Sequence, residues 1–568
     1  MPPSLLDYLC SALQKNLAGR HPRLALTVLR SDPQRSHALF PHATTAKSTT
    51  KVYHEDIFVV LTQPATSTGG SAVPVPVVAI EAALYTVPAT GTALLYISKV
   101  DTTGLLPAAP SPSPTRPLVA AFLSYFLSHP PHHCSRVRIH VFARAQSQYL
   151  FPGSADNTAK KLLDDKALLR WWKRTLERAV TTTSSSAQST KLFYLIPGLA
   201  YLESLPYVPP ATGTLDWTYS HPYATLSSPL HPATDPPSSH PLVDHIPAFP
   251  DDPKSRFLHS LTSSSVSPSG TEGDYDDVFL SLASNSFTTG QTPAQKVAET
   301  ERAIERERRR LVEGVPGGVD EWWERMAFRQ ECCAGQLVGF FVVAAGEPAP
   351  AAAPAPSTST TDASPPAAAV VSSHEKSGPP KRHPLSLRPS TYIKLWSQLH
   401  NYDYALPALS KLEDAVSKWE QGLESALRAE EDLDDDDVGT AAIGSEEDTI
   451  GGAAAANGEE EGAPEHGTRD EAKEREWRRR YEKFVRREIK VDNPNLLVPT
   501  TPTTTTVDSE NGNGNGTTAG EQGTTKRAAT ADEQQAGPPK VNVLAPRKKK
   551  KVAAGAVANP DTVVAPPP

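Results

Sequence analysis

Cysteine is the scarcest informative residue in this chain: four in 568. Cys10, Cys134, Cys332 and Cys333 cannot staple a chain of this length, and they suit a reducing compartment such as cytosol or nucleus. No CxxC occurs, so a structural zinc site is not expected. Long apolar runs are missing too. The longest, Leu337–Ala345, is far short of the roughly 20 residues a membrane helix needs. Residues Met1–Gly19 lack the basic start, apolar stretch and cleavage site of a signal peptide; they read as a short amphipathic helix carrying Leu5, Leu6, Tyr8, Leu9 and Leu13. No P-loop, GxGxxG or GxSxG is present, which removes the common nucleotide and hydrolase signatures. Net charge is −8, from 56 Lys+Arg against 64 Asp+Glu, so the chain has no global attraction for phosphate backbones.

Proline is abundant: 55 residues, about twice the roughly 5% background. The apolar share is only 38%. Together they imply fewer domains than the length allows, separated by unfolded chain. Val52–Leu61, Val75–Thr86, Ala93–Val100 and Arg136–Ala143 read as strands. Asp101-Thr-Thr-Gly104 reads as a turn. Leu118–Leu127 and Lys160–Val180 have helical spacing, as does Trp322–Phe341, within which Gln336-Leu-Val-Gly339 is taken as a helix-packing segment. Thr292-Pro293 reads as a helix start that runs to Arg310. This order of strands and helices predicts an α/β (α+β mixed) fold with a central mixed β-sheet flanked by helices, plus disordered insertions and tail.

The expected organisation is a core over 1–345, with Pro-rich insertions at 105–117 and 206–248. A disordered linker at 346–384 leads to a further helical part of the core at 385–428. An acidic disordered linker at 429–470 precedes a charged helix at 471–497. Beyond it come disorder at 498–540, a basic motif at 541–552 and more disorder at 553–568.

Several clusters carry chemistry. In Phe249-Pro-Asp-Asp-Pro-Lys-Ser-Arg-Phe257, Asp251 and Asp252 are adjacent carboxylates between prolines, beside Lys254 and Arg256. A carboxylate there can serve as a proton acceptor, or the group is simply an acidic turn with local ion pairs. Lys160-Lys161 precede Arg170-Trp-Trp-Lys173. They can hold phosphates, or form a solvated basic face with Trp171 and Trp172 as core anchors. His129, His132, His133 and Cys134 suggest a metal, but the Pro130-Pro131 break makes a loop the better reading. Arg547–Lys551 is a nuclear-import signal, a nucleic-acid contact, an acidic-partner site or a solubilising tail.

In combination these pieces resemble a fungal histone acetyltransferase family, the regulator of Ty transposition family. The signature is Phe249–Phe257. It is preceded in order by Tyr96-Ile-Ser-Lys-Val-Asp-Thr-Thr-Gly104, Ser147-Gln-Tyr-Leu-Phe-Pro152, Lys160-Lys161 and Trp171-Trp172. Trp322–Gly339 and Val543-Leu-Ala-Pro-Arg-Lys-Lys-Lys550 follow it. The resemblance implies a fold like the CREB-binding-protein acetyltransferase domain and transfer of acetyl from acetyl-CoA, without a metal, to lysines of histone H3. The implied lysines lie at the entrance of the histone core and in the tail. It implies as partners the H3–H4 complex and chaperones of the anti-silencing and nucleosome-assembly types, with no membrane and no sequence-specific DNA contact. It places the protein in the nucleus, in replication-coupled chromatin assembly, DNA repair and transcription regulation. By the same resemblance, Asp252 is the proton acceptor with Asp251 beside it, and Asp101 is an acid at the floor of the site. Trp172 and Tyr149 line the tunnel for the substrate side chain. Val100, Thr102, Ser113, Thr115, Arg116, Phe142, Lys160, Lys161, Leu162 and Trp171 contact the cofactor, and Lys254 is auto-acetylated. The alternative from the residues alone is a non-catalytic histone- or chaperone-binding scaffold, its acidic tract shielding histones. A nucleic-acid-binding regulator is a third reading, which the acidic balance opposes.

The chemistry demanded is specific. A free lysine has a pKa near roughly 10.4 and arrives protonated. It must lose a proton before attacking a thioester, and a carboxylate can take it. No cysteine lies in the Phe249–Phe257 signature or in the cofactor-contacting segments, which points to direct transfer rather than an acyl-cysteine intermediate.

Overall fold

The structure is a computed structural model. It describes residues 2–17, 24–41, 43, 50–66, 72–105, 113–131, 134–183, 190–210, 215–235, 240, 242–263, 318–329, 332, 335–347, 379–441, 466–489 and 491. The expected helix at 292–310, His132, His133 and the basic motif at 541–552 lie outside the described residues.

Strands rich in β-branched and aromatic residues assemble one mixed sheet. In chain order they are β1 (Leu24–Arg30), β2 (Gln34–Ser36), β3 (Val52–Thr66), β4 (Ala72–Val87), β5 (Thr92–Thr102), β6 (Arg136–Arg144), β7 (Lys191–Leu195), β8 (Trp217–Tyr219), β9 (Val338–Ala345) and β10 (Arg486–Ile489). Their spatial order is β10-β1-β3-β4-β5-β6-β9-β7-β8, with β2 beside β3. β5 and β6 run parallel, as do β7 and β8; the other pairs are antiparallel. The parallel β5–β6 pair needs a crossover, which α2 (Thr115–Ser128) supplies.

Both faces of the sheet are covered. On one, α1 (Leu5–Leu17), α2 and α3 (Asp165–Thr182) bury Leu9, Phe122 and Leu176 against Ile80, Leu95 and Ile139. On the other, Phe58 and Val60 of β3 pack against α7 (Pro389–His400), α8 (Leu409–Ala441) and α9 (His466–Phe484). Farther along that face, α5 (Pro253–Ser263), α6 (Gly318–Met326) and the segment before α5 cover Tyr96, Val338 and Phe340. The short α4 (Tyr201–Ser204) follows β7. The predicted mixed sheet flanked by helices is therefore present.

Four expectations need correction. Trp322–Phe341 is not one helix: α6 stops at Met326 and Val338 opens β9, which contains most of the longest apolar run. All eight residues of β9 are buried, because β6 and β7 flank it and both faces are covered; such a strand shows no alternation and reads like a buried helix. The charged helix at 471–497 ends at Phe484, and Arg486–Ile489 switches to an edge strand on β1. The acidic linker does not begin at 429, since α8 continues to Ala441. The 206–248 insertion is largely packed: Tyr223, Leu226, Leu230, Val243 and Ile246 are buried.

Candidate active site

Asp101 is the penultimate residue of β5, and the chain turns at Gly104, whose φ is +63°. A Cβ there would come within 2.6 Å of the Lys160 backbone, so only glycine lets that segment close over the strand end. Asp101 is buried and its carboxylate is fully engaged. Oδ1 accepts from Thr102 N–H (2.8 Å) and Lys160 Nζ (2.9 Å). Oδ2 accepts from the N–H groups of Tyr149 (2.7 Å), Leu150 (2.9 Å) and Phe151 (3.3 Å). With five donors, Asp101 positions the 149–151 turn and Lys160. Lys160 also donates to Ser154 Oγ at 2.7 Å. Its charge is paired with the Asp101 carboxylate. Lys161 and Leu162 remain at the surface.

Around this strand end lies a cavity of about 860 Å³, within the size range of ligand pockets. Its wall contains all ten residues expected to meet the cofactor: Val100, Thr102, Ser113, Thr115, Arg116, Phe142, Lys160, Lys161, Leu162 and Trp171. Asp101, Tyr149 and Trp172 line it too. The Trp171 and Trp172 rings meet edge to face at 4.9 Å. Tyr149 Oη donates to the Arg144 carbonyl (2.5 Å) and accepts from Gln146 N–H (2.9 Å); burial pushes its phenol up to about 12. It is a neutral wall at physiological pH.

Ser113–Arg116 is not simply a loop, because Thr115 opens α2. Pro114 precedes it without a capping side chain; Thr115 N–H reaches Ser113 Oγ at 3.4 Å and Pro117 has no N–H, so of the first turn the Arg116 N–H is left for an anion. Arg116 Nε is shielded from water and has no hydrogen-bond partner. Burial, then the charges of Arg174 and Arg178, pull the Arg116 guanidinium down. All three arginines line the cavity, and none has a carboxylate partner among the described residues. An orphaned donor inside an unneutralised arginine cluster fits a polyanion such as the phosphates of acetyl-CoA. Arg174 and Arg178 escaped the sequence reading. The signal was the Arg170, Arg174, Arg178 ladder at i, i+4 spacing, which aligns three guanidiniums on one face of α3.

The acidic pair sits elsewhere. Asp252 and Lys254 are buried and do not line the large cavity. Asp252 Oδ1 accepts from Lys254 N–H (2.9 Å), and Oδ2 pairs with Lys254 Nζ. Burial pulls the Lys254 ammonium down, with Asp252 opposing the shift. Lys254 Nζ lies 4.5 Å above the Phe340 ring, Phe340 stacks on Phe142 at 4.9 Å, and Phe142 lines the cavity. A line of contacts thus joins the pair to the cavity. Asp251 is exposed, with a left-handed φ of +56°, a strained value for a non-glycine residue. Its Oδ2 lies 3.6 Å from Lys99 Nζ, which lines the cavity and also binds Glu81 Oε1 at 3.0 Å. Lys99 and Glu81 were not anticipated as site residues.

Burial pushes the Cys10 and Cys134 thiols up to about 12, so neither is a ready nucleophile. His129 packs against Tyr125 and Tyr8.

Comparisons with known proteins agree with this geometry. Residues 113–377 match the histone acetyltransferase KAT11-type domain family. The histone acetyltransferase rtt109 of Aspergillus flavus is 32% identical over 279 residues, covering 45% of this chain and 42% of that protein. That of Schizosaccharomyces pombe is 28% identical over 219 residues, covering 36% and 41%. The matched segments thus span about two fifths of these relatives' lengths. The crystal structure of Rtt109 from Aspergillus fumigatus superposes with a TM-score of 0.50 at 23% identity, covering 74% of this chain and 96% of that one. The sequence matches bear out the family resemblance, and the superposition bears out the fold.

Proposed function

We propose, from the premise that residues 113–377 match a KAT11-type acetyltransferase domain, that this chain transfers acetyl from acetyl-CoA to lysine side chains of histone H3. The observation that carries the reading is the 860 Å³ cavity, which gathers the ten expected cofactor residues around an unneutralised arginine cluster. Arg116, Arg174 and Arg178 would hold the phosphates, assisted by the Arg116 N–H at the start of α2. Trp171, Trp172 and Tyr149 form an apolar wall that desolvates and aligns an incoming lysine.

The lysine nitrogen attacks the thioester carbonyl, the C–S bond breaks and CoA leaves as thiolate. The proton lost by the amine goes to a carboxylate, for which Asp252 is the candidate. As folded, Asp252 is masked by the Lys254 ammonium. Acetylation of Lys254 would remove that cation and leave the Asp252 carboxylate free to act as a base. Asp101 and Lys160 act as positioning residues for the cavity wall.

The substrate form is the H3–H4 complex, presented by chaperones of the anti-silencing and nucleosome-assembly types. The setting is the nucleus, during replication-coupled chromatin assembly and repair. The test is mass spectrometry of H3 and of this chain after incubation with acetyl-CoA, H3–H4 and each chaperone, with Asp252→Asn in parallel. Wild type should acetylate H3 and Lys254, and the variant should be nearly inactive. No H3 acetylation with either chaperone overturns the reading; acetyl-CoA affinity without transfer would favour the scaffold alternative.

A further inference from the structure

Lys99 stands between a largely buried carboxylate and the acidic turn, and a strand irregularity puts it there. β5 carries an extra residue at Ser98: Glu81 of β4 pairs with Lys99, while Ala82 pairs with Ile97. An uninterrupted strand would send Lys99 to the face of Ile97, which packs with α1, α2 and α3. The bulge turns Ser98 and Lys99 to one side, where Ser98 Oγ (2.8 Å) and Lys99 Nζ (3.0 Å) both donate to Glu81 Oε1. The other oxygen of Glu81 accepts from Trp396 Nε1 of α7 at 3.0 Å. Glu81 is thus fixed from two sides, and it fixes Lys99.

Lys99 Nζ also lies 3.6 Å from Asp251 Oδ2. Phe249–Asp252 is a tight turn, closed by Asp252 N–H donating to the Phe249 carbonyl at 3.4 Å. Proline at its second position and a positive φ at its third are the pattern of a type II turn, whose usual third residue is glycine. Asp251 holds that place at φ +56°, where a side chain is strained and glycine is not. β5 therefore meets the turn twice. Tyr96 stacks on Phe249, centroids 4.5 Å and planes 2° apart, and Lys99 reaches Asp251. Arg256 is a second cation near Asp251, farther off at 4.0 Å and more exposed than Lys99. Asp252 is the next residue in the chain.

We propose that Lys99 is a positioning residue for acetyl transfer. Its ammonium, held by Glu81, keeps Asp251 in the strained corner and so sets where the Asp252 carboxylate lies. Trp396, far along the chain, supports the same arrangement through Glu81. The inference rests on Asp252 as the proton acceptor.

The test separates positioning from binding. Lys99→Met, Lys99→Arg, Asp251→Gly, the Lys99→Met/Asp251→Gly double variant and Trp396→Phe are compared with wild type and Asp252→Asn. The readouts are steady-state acetylation of the H3–H4 complex at varied acetyl-CoA, and thermal melting. Both Lys99 and Asp251 are partly exposed, so these variants should fold. Lys99→Met should lower kcat at least about tenfold with KM for acetyl-CoA within about twofold, and Lys99→Arg should recover most of the loss. Asp251→Gly removes the strain together with the carboxylate; it should melt no lower than wild type and still lose kcat. In the double variant the two losses should not add. Trp396→Phe keeps the ring without the donor to Glu81, and should lower kcat by a smaller factor than Lys99→Met. With Asp252→Asn inactive, wild-type kcat in Lys99→Met, a raised KM at unchanged kcat, or additive losses in the double variant overturns the positioning role alone. Full activity in Asp252→Asn instead overturns the premise about Asp252, and the proposal with it.

Discussion

His140 of β6 lies beneath Phe249, their rings 5.0 Å apart, with Nε2 buried and unpartnered. Burial first, then the charges of Lys254 and Arg138, drive its pKa well below the ordinary 6.5. Between about pH 6.5 and that depressed value the unfolded chain binds a proton that the folded chain refuses. Stability contributed by neutral His140 is therefore lost as pH falls below 6.5. His140→Leu removes both the orphaned atom and the titration. It should be neutral or stabilising at pH 7, by up to about 1–2 kcal/mol, and its urea midpoint should fall less than wild type's from pH 7 to pH 5. At Lys254 the depressed pKa lies below the ordinary 10.5. The burial penalty on its charge is thus present at neutral pH and relieved as pH rises toward 10.5. Lys254→Arg keeps a cation that cannot be acetylated or deprotonated. It should leave the domain folded by circular dichroism while lowering turnover. Equal rates for variant and wild type would remove the proposed role of Lys254 acetylation.

Elements were legible where periodicity was clean. β3 to β6 alternate or carry β-branched runs, and α2 and α3 show helical spacing, so the sequence located them. β9 was hidden because burial on both faces erased alternation. β10 was hidden because Arg486-Arg-Glu-Ile489 has the composition of the charged helix before it. Only its pairing with β1, which no local pattern announces, makes it a strand. At the site, the residues that line the large cavity were legible from motif resemblance. The Asp101–Lys160 pair was not, since two residues that each looked available for chemistry neutralise one another across 59 positions. The clasp formed by α9 and β10 is testable. Trp477 is buried, stacks on Tyr481 at 5.0 Å and lies 3.7 Å beneath the Arg428 guanidinium. Trp477→Ala should cost about 3–5 kcal/mol in urea unfolding. A loss below about 1 kcal/mol would mean that the clasp contributes little to the fold.

For the whole molecule, the net charge of −8 obscures the local field that matters. The chain as a whole repels a polyanion, while the cavity end of α3 presents Arg174 and Arg178 beside Arg116, with no carboxylate against them among the described residues. A field confined to one concave end should act on acetyl-CoA capture rather than on the later proton transfer, because the phosphates lie far from the thioester in that ligand. It should also be screened by salt, since the Debye length falls from about 10 Å at 0.1 M to 3 Å at 1 M. Two consequences can be measured together. Raising ionic strength should increase KM for acetyl-CoA while leaving kcat within about twofold. Arg174→Glu should raise KM at least about tenfold at low salt, a loss of about 1.4 kcal/mol, again with kcat nearly kept. The variant should also show a flatter salt dependence, because the attraction that salt screens has been removed. A variant that lowers kcat with unchanged KM would place Arg174 outside the phosphate site and would leave the cationic end of the cavity without its assigned ligand.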